Sequence, residues 1–196
     1  MMQLDVMAPS LDSLPKVFAL SDLKQLLPGE GEQALDVTLR WLEAGVIRQV
    51  APERPVFFRV VLGDPLSEAE VLQALMRTFP SVIVVGGSAL WRQGLSTRED
   101  NVLECAVAES DVRCNLSQVS LCSRPAGWWS VIREVGGLSA QGCHGAAMLN
   151  PEVAVADAAA FRDVWMPDRD DIHWDRLSTA QLSHATQAML PLRPHR

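Results

Sequence analysis

Leu42-Glu43-Ala44-Gly45-Val46-Ile47-Arg48-Gln49-Val50-Ala51-Pro52-Glu53-Arg54-Pro55-Val56-Phe57-Phe58-Arg59-Val60-Val61 runs from the end of a helix into a hairpin. Gly45 is the residue type that closes a helix in the left-handed conformation. Residues 46–50 and 56–61 are β-branched and aromatic runs, and the Pro-bounded stretch between them reads as a loop. Working backward, residues 32–44 predict a helix. Leu35, Leu39 and Leu42 form its expected buried stripe, flanked by Val37 and Trp41, with Gln33, Asp36, Arg40 and Glu43 opposite. Pro28-Gly29-Glu30-Gly31 is a turn. Before it, Phe18-Ala19-Leu20 leads into Ser21, an expected N-cap, and Leu23, Leu26 and Leu27 give about two turns of a shorter helix.

Helix, turn, longer helix and hairpin in this order is the layout of a winged helix-turn-helix. In that arrangement the longer helix buries one face and leaves the other for a major groove, while the hairpin lies along the DNA backbone. The candidate DNA-binding residues follow from it. Gln33, Asp36, Thr38 and Arg40 face outward for base reading, with Thr38 or Gln33 suited to a base edge. Ser21 and Lys24 would touch backbone, and Arg48 and Arg54 on the wing would add phosphate contacts. Residues 1–62 hold six basic residues against eight acidic ones, so binding would depend on the arginines sharing one face.

A break falls at Leu62-Gly63-Asp64-Pro65, dividing an expected first domain, 1–62, from a second, 63–196. The second domain opens on a helix over 67–78, with Ser67 and Glu70 as a capping box. Val82-Ile83-Val84-Val85 reads as a buried strand, and Gly86-Gly87 turns into a helix over 88–93 closed by Gly94. Strands are expected over 102–108 and 119–122, and Trp128–Ile132 is apolar enough for the core. Asn150-Pro151-Glu152 starts an alanine-rich helix, and a polar helix covers 178–189. The fold class is α+β: a winged helix-turn-helix followed by a small mixed α/β domain.

Composition narrows the function classes. The chain has 196 residues, 48% hydrophobic and 21% charged, which excludes a disordered tail and a disulfide-stapled miniprotein. A net charge of −7 excludes coating nucleic acid by bulk charge but leaves room for a local basic surface. The uncharged run that most resembles a membrane span, 79–91, is short of the ~20 residues a span needs, and the N-terminus carries no secretory pattern. These point to a cytoplasmic protein without a membrane partner, monomeric or dimeric. The four cysteines lack CxxC spacing and read as buried apolar thiols or inert surface ones, with Cys122, Cys143 and His144 a conceivable zinc set. No cofactor is expected.

LEAGVIRQV is followed by VVGGSALWRQGLSTRE, then NPEVAVADAAA, then Trp165-Met166-Pro167-Asp168. This succession resembles the AbiEi-like antitoxins of type IV toxin–antitoxin systems over roughly residues 15–175. The resemblance implies a transcriptional autorepressor that binds inverted repeats of double-stranded DNA in its own promoter. It would counter a nucleotidyltransferase-like toxin without needing to touch it. Two alternatives stand beside it. One is a winged-helix adaptor that binds protein rather than DNA, whose sign is the acidic start of the helix over 32–44; separately, the acidic stretch Asp163, Asp168, Asp170, Asp171 and Asp175, interleaved with Trp165, Ile172 and Trp174, reads as a solvated loop anchored by its tryptophans or as a docking surface for a basic partner. The other is a degenerate nucleotidyltransferase, because Gly86-Gly87-Ser88 after a strand resembles a phosphate-binding turn. Asp100 and Glu104 stand four apart there, too far to share one metal ion on a strand, so the turn reads as structural. Ser88, His144 and Asp100 lack a GxSxG elbow for a hydrolase triad. Arg92, Arg98, Arg113 and Arg124 could form a second basic patch. No residue is expected to be catalytic.

Overall fold

The computed structural model describes residues 10–27 and 31–193. The chain is an α+β protein that divides into two compact units, Met1–Thr78 and Phe79–Arg196. Among the described residues no helix is long and apolar enough to cross a membrane.

In the first unit, a 3-10 turn, Leu11–Ser13, leads to strand β1 (Val17–Ala19), helix α1 (Leu20–Leu26), helix α2 (Gly31–Glu43), strands β2 (Ile47–Gln49) and β3 (Val56–Arg59), and helix α3 (Glu68–Thr78). The strands form an antiparallel sheet in the order β1-β3-β2, with Phe18 opposite Phe57 and Arg48 opposite Phe58. β1 escaped the sequence reading because three residues, Val-Phe-Ala, show no alternation to detect. Its role is to complete the sheet. Phe18 packs its ring 5.7 Å from that of Phe57 and 6.4 Å edge-on from Trp41, in a core that also holds Leu23, Val37 and Ile47. Fully burying a side chain of this size contributes about 1.5–3 kcal/mol.

Ser21 does not cap α1. The helix starts one residue earlier, and Asp22 reaches back to accept the Ala19 N–H at 2.9 Å while also pairing with Arg77. The buried face of α2 is not Leu35–Leu39–Leu42 but Ala34, Val37 and Thr38, with Trp41 and Leu42 partly covered. Small residues let the helix approach the sheet closely and turn the leucines outward, so Leu35 and Leu39 are 49% and 48% exposed. The break at Leu62–Pro65 marks the loop before α3 rather than the division between units, because α3 packs on β1 and β3. Its capping box forms as expected: Glu70 accepts the Ser67 N–H at 2.8 Å. Gly45 takes a φ of +70° and ends α2. The turn at Pro28-Gly29-Glu30 lies outside the described residues.

The second unit is built on a four-stranded sheet, order β6-β5-β4-β7, made of β4 (Ile83–Val84), β5 (Leu103–Val107), β6 (Val119–Ser123) and β7 (Ala147–Met148). β4 and β5 are antiparallel, and the outer pairs are parallel. Around it stand α4 (Gly86–Arg92), α5 (Ala126–Glu134), α6 (Pro151–Phe161) and α7 (Thr179–Met189). Asn150 caps α6 by accepting the Val153 N–H, with Pro151 at the first position, and Ser178 caps α7. The Trp128-Trp129 stretch is part of helix α5 and buries Trp128 and Ile132 completely.

Candidate functional site

The residues expected to meet DNA separate into three groups in the first unit. Gln33, Asp36 and Arg40 are exposed on α2, Lys24 and Ser21 are exposed on α1, and Arg48 and Arg54 are exposed on β2 and in the hairpin loop. Arg48 projects outward because its strand alternates, with Ile47 buried on the other face. Thr38 is the exception. It is buried, and its hydroxyl donates to the Ala34 carbonyl at 2.7 Å, so it cannot reach a base edge.

The basic residues of this unit divide by partnership. Lys16 is held by Asp64 at 2.6 Å, Arg59 by Asp12 at 3.0 Å, and Arg77 by Asp22. Lys24, Arg40 and Arg48 pair with no carboxylate among the described residues, even though Asp36 lies one turn before Arg40 on the same helix. The Arg40 Nε donates instead to the Asp36 carbonyl at 3.4 Å. The same outward side of α2 carries Glu32, Asp36 and Glu43 beside Leu35 and Leu39.

In the second unit the glycine turn is filled by the protein itself. Gly86 has a φ of +57°, where a side chain is strained. The Gly87 N–H donates to the Glu104 carboxylate and to the Trp165 carbonyl, both at 3.0 Å. The other Glu104 oxygen accepts the Trp165 N–H. A Cβ on Gly87 would overlap the six-membered ring of Trp165, and one on Gly86 would overlap the Glu104 carboxylate. The Gly87 backbone donor that a phosphate would need is therefore taken. Ser88 is likewise occupied, since its hydroxyl accepts from the Glu104 N–H at 2.9 Å and donates to Val102. The hydrolase arrangement through Ser88 has no available nucleophile.

Burial pushes the Glu104 carboxyl up to about 7 from 4.5, against the opposing pull of the Trp165 and Gly87 N–H groups. The folded state then keeps a proton that the unfolded chain has already lost. This group's contribution is greatest below pH 4.5, falls as pH rises toward 7, and is level above that. Its steepest loss is about 1.4 kcal/mol per pH unit. Glu104→Gln keeps one acceptor but turns an amide donor toward Gly87. It is expected to be less stable than the parent at pH 5, with the gap narrowing by pH 8 in urea titrations. A gap that widens with pH would contradict the account.

Arg124 is not part of a surface patch. It is buried, with Nε and Nη2 bound to the Asp157 carboxylate at 3.0 and 2.7 Å, Nη1 bound to Asp163 at 2.7 Å, and the guanidinium 4.2 Å over the Phe161 ring. Trp128 donates its indole N–H to the same Asp157 at 2.7 Å. Burial raises the Asp157 pKa, opposed by these donors. Burial alone would lower that of Arg124, but the two carboxylates raise it. The thiol of Cys122 points at the Cys105 carbonyl, and burial pushes it up to about 12. Among the described residues no cluster of ligand atoms joins Cys122 to Cys143 and His144, so the conceived zinc set does not assemble.

No family model matches the chain, and no curated protein matches it. Among solved structures it is similar to the crystal structure of the RV2827C protein from Mycobacterium tuberculosis. The match spans 93% of this chain and 78% of that one, at 16% identity and a TM-score of 0.53. At that identity the likeness is one of fold.

Sequence reasoning missed the Glu104–Gly87–Trp165 junction and the Arg124–Asp157–Trp128 network. A signal for each was present. Glu104 is a lone carboxylate in the apolar run Leu103–Val107, and Asp157 is the one carboxylate past the first turn of an alanine-rich helix, and a buried charge demands partners.

Proposed function

We propose that the chain is a cytoplasmic DNA-binding transcription regulator of the type that its resemblance to AbiEi-like antitoxins implies. Its first unit would act as a winged helix-turn-helix on promoter inverted repeats, repressing its own operon and countering a nucleotidyltransferase-like toxin. The observation that carries this reading is the division of the cations. Lys16, Arg59 and Arg77 are engaged in ion pairs, whereas Lys24 on α1, Arg40 on α2 and Arg48 on β2 are exposed and have no carboxylate partner among the described residues. Cations left without carboxylates can neutralise phosphates. The order of elements also supports it. Two helices intervene between β1 and β2, and the sheet order is β1-β3-β2, the layout in which the second helix and the hairpin can meet one duplex. The role is a binding one, with no catalytic step.

The test is a gel shift at low salt with the duplex upstream of the chain's own coding frame against a scrambled duplex. Binding should favour the native sequence. Arg40→Ala and Arg48→Ala should each weaken it, and Thr38→Val should not. Absence of any shift for the parent protein would overturn the proposal.

A second reading, protein docking through α2, is favoured by one observation. Leu35 and Leu39 stand exposed one turn apart, beside Glu32, Asp36 and Glu43, a surface unfriendly to phosphate. Leu35→Ser with Leu39→Ser distinguishes the two in the same gel shift. Unchanged DNA affinity assigns the leucines to a protein partner, and lowered affinity assigns them to apolar contact with thymine methyls.

A further inference from the structure

The second unit contains an open cavity of about 440 Å³ between one face of α6 and the chain that follows it. Val155, Ala158 and Ala159 lie three and four residues apart on α6 and form its floor; Met166, Pro167, Ile172 and Trp174 form its walls. The cavity exists because two floor positions are alanine. The Trp174 indole is fixed in the wall by its N–H bond to the Arg169 carbonyl at 2.7 Å and is 40% exposed. Among the described residues, Arg169 is the only charged one in the lining. Among the described residues no carboxylate lines the space and none pairs with Arg169. Of the acids beside it along the chain, Asp168 is engaged with Arg98 at 3.5 Å and Asp171 with the Thr97 hydroxyl at 2.9 Å, while Asp170 is exposed and outside the lining.

A concave, mostly apolar space of a few hundred cubic ångströms with a single polar anchor is the usual form of a small-molecule site. We infer that this cavity binds a small aromatic or branched apolar monocarboxylate. Its body would lie on the alanine floor against Trp174, and its carboxylate would meet the Arg169 guanidinium. A cation is disfavoured by Arg169, and a neutral ligand would leave that charge unanswered at the mouth. The inference does not depend on the DNA-binding proposal, because binding is measured without DNA.

The experiment titrates the full chain with 1-naphthylacetate and with its neutral amide, 1-naphthylacetamide, by isothermal calorimetry. Saturable one-to-one binding of the acid is expected, at least tenfold tighter than the amide. Arg169→Gln should bring the acid down to the amide's affinity without changing the thermal midpoint. Ala159→Phe, at an exposed position, should fill the floor and abolish both. Absence of saturable binding of the acid by the parent protein would overturn the inference, as would equal affinity for acid and amide. Retention of the acid by Ala159→Phe would place its binding outside this cavity and overturn the inference too.

Discussion

Asp157→Ala is expected to cost the second unit about 3–5 kcal/mol, the range found when one partner of a buried ion pair is removed. The substitution deletes the acceptor of Arg124 Nε and of the Trp128 indole N–H, and one of the two carboxylates that Nη2 meets. Arg124 keeps the Ser123 carbonyl and the carboxylate of Asp163, whose side chain is 41% exposed and so answers the charge from a solvated position. Domains are typically stable by 5–15 kcal/mol, so the loss is enough to bring unfolding close to ambient conditions. Urea unfolding followed by tryptophan emission measures it. The double variant Arg124→Met with Asp157→Leu separates charge from packing. It removes both charges and should be markedly more stable than Asp157→Ala alone. If the double variant is as unstable as the single one, the cost lies in packing rather than in the orphaned guanidinium.

Gly87→Ala is expected to cost about 3 kcal/mol, at the upper end of overpacking changes. The added methyl would occupy the place of the Trp165 ring, which is held by its own backbone bonds to Glu104 and Gly87 and cannot swing away cheaply. The same substitution made together with Trp165→Ala should cost less than about 1 kcal/mol beyond Trp165→Ala itself, because the obstructing ring is gone. That non-additivity is the signature of direct contact. Additive costs would mean that Gly87 is required for its backbone alone.

Much of the element order was legible in the sequence because its signals are local. Asn150-Pro151, Ser67 with Glu70, and Gly45 each do in the fold what their residue types favour. The errors arose where tertiary packing chose between two compatible faces. On α2 both the leucine stripe and the Ala34–Val37–Thr38 face have helical spacing, and the sheet accepts the smaller one. Thr38 was lost as a base reader for that reason. Ser21 gave way to Asp22, whose carboxylate reaches the Ala19 N–H and Arg77 at once. Arg124 illustrates the opposite limit, since nothing in its own neighbourhood announces that partners 33 and 39 residues away enclose it.

Of the candidate DNA contacts, the geometry leaves Lys24, Arg40 and Arg48 exposed and without carboxylates among the described residues. The direct measurement is the salt dependence of affinity for the native upstream duplex. Each phosphate contact adds about 0.9 to the slope of log K against log salt. The triple variant Lys24→Ala, Arg40→Ala and Arg48→Ala should lower the slope by about 2–3, whereas Arg77→Ala, which removes a cation already paired with Asp22, should leave it unchanged. An identical slope in the triple variant and the parent would contradict the account.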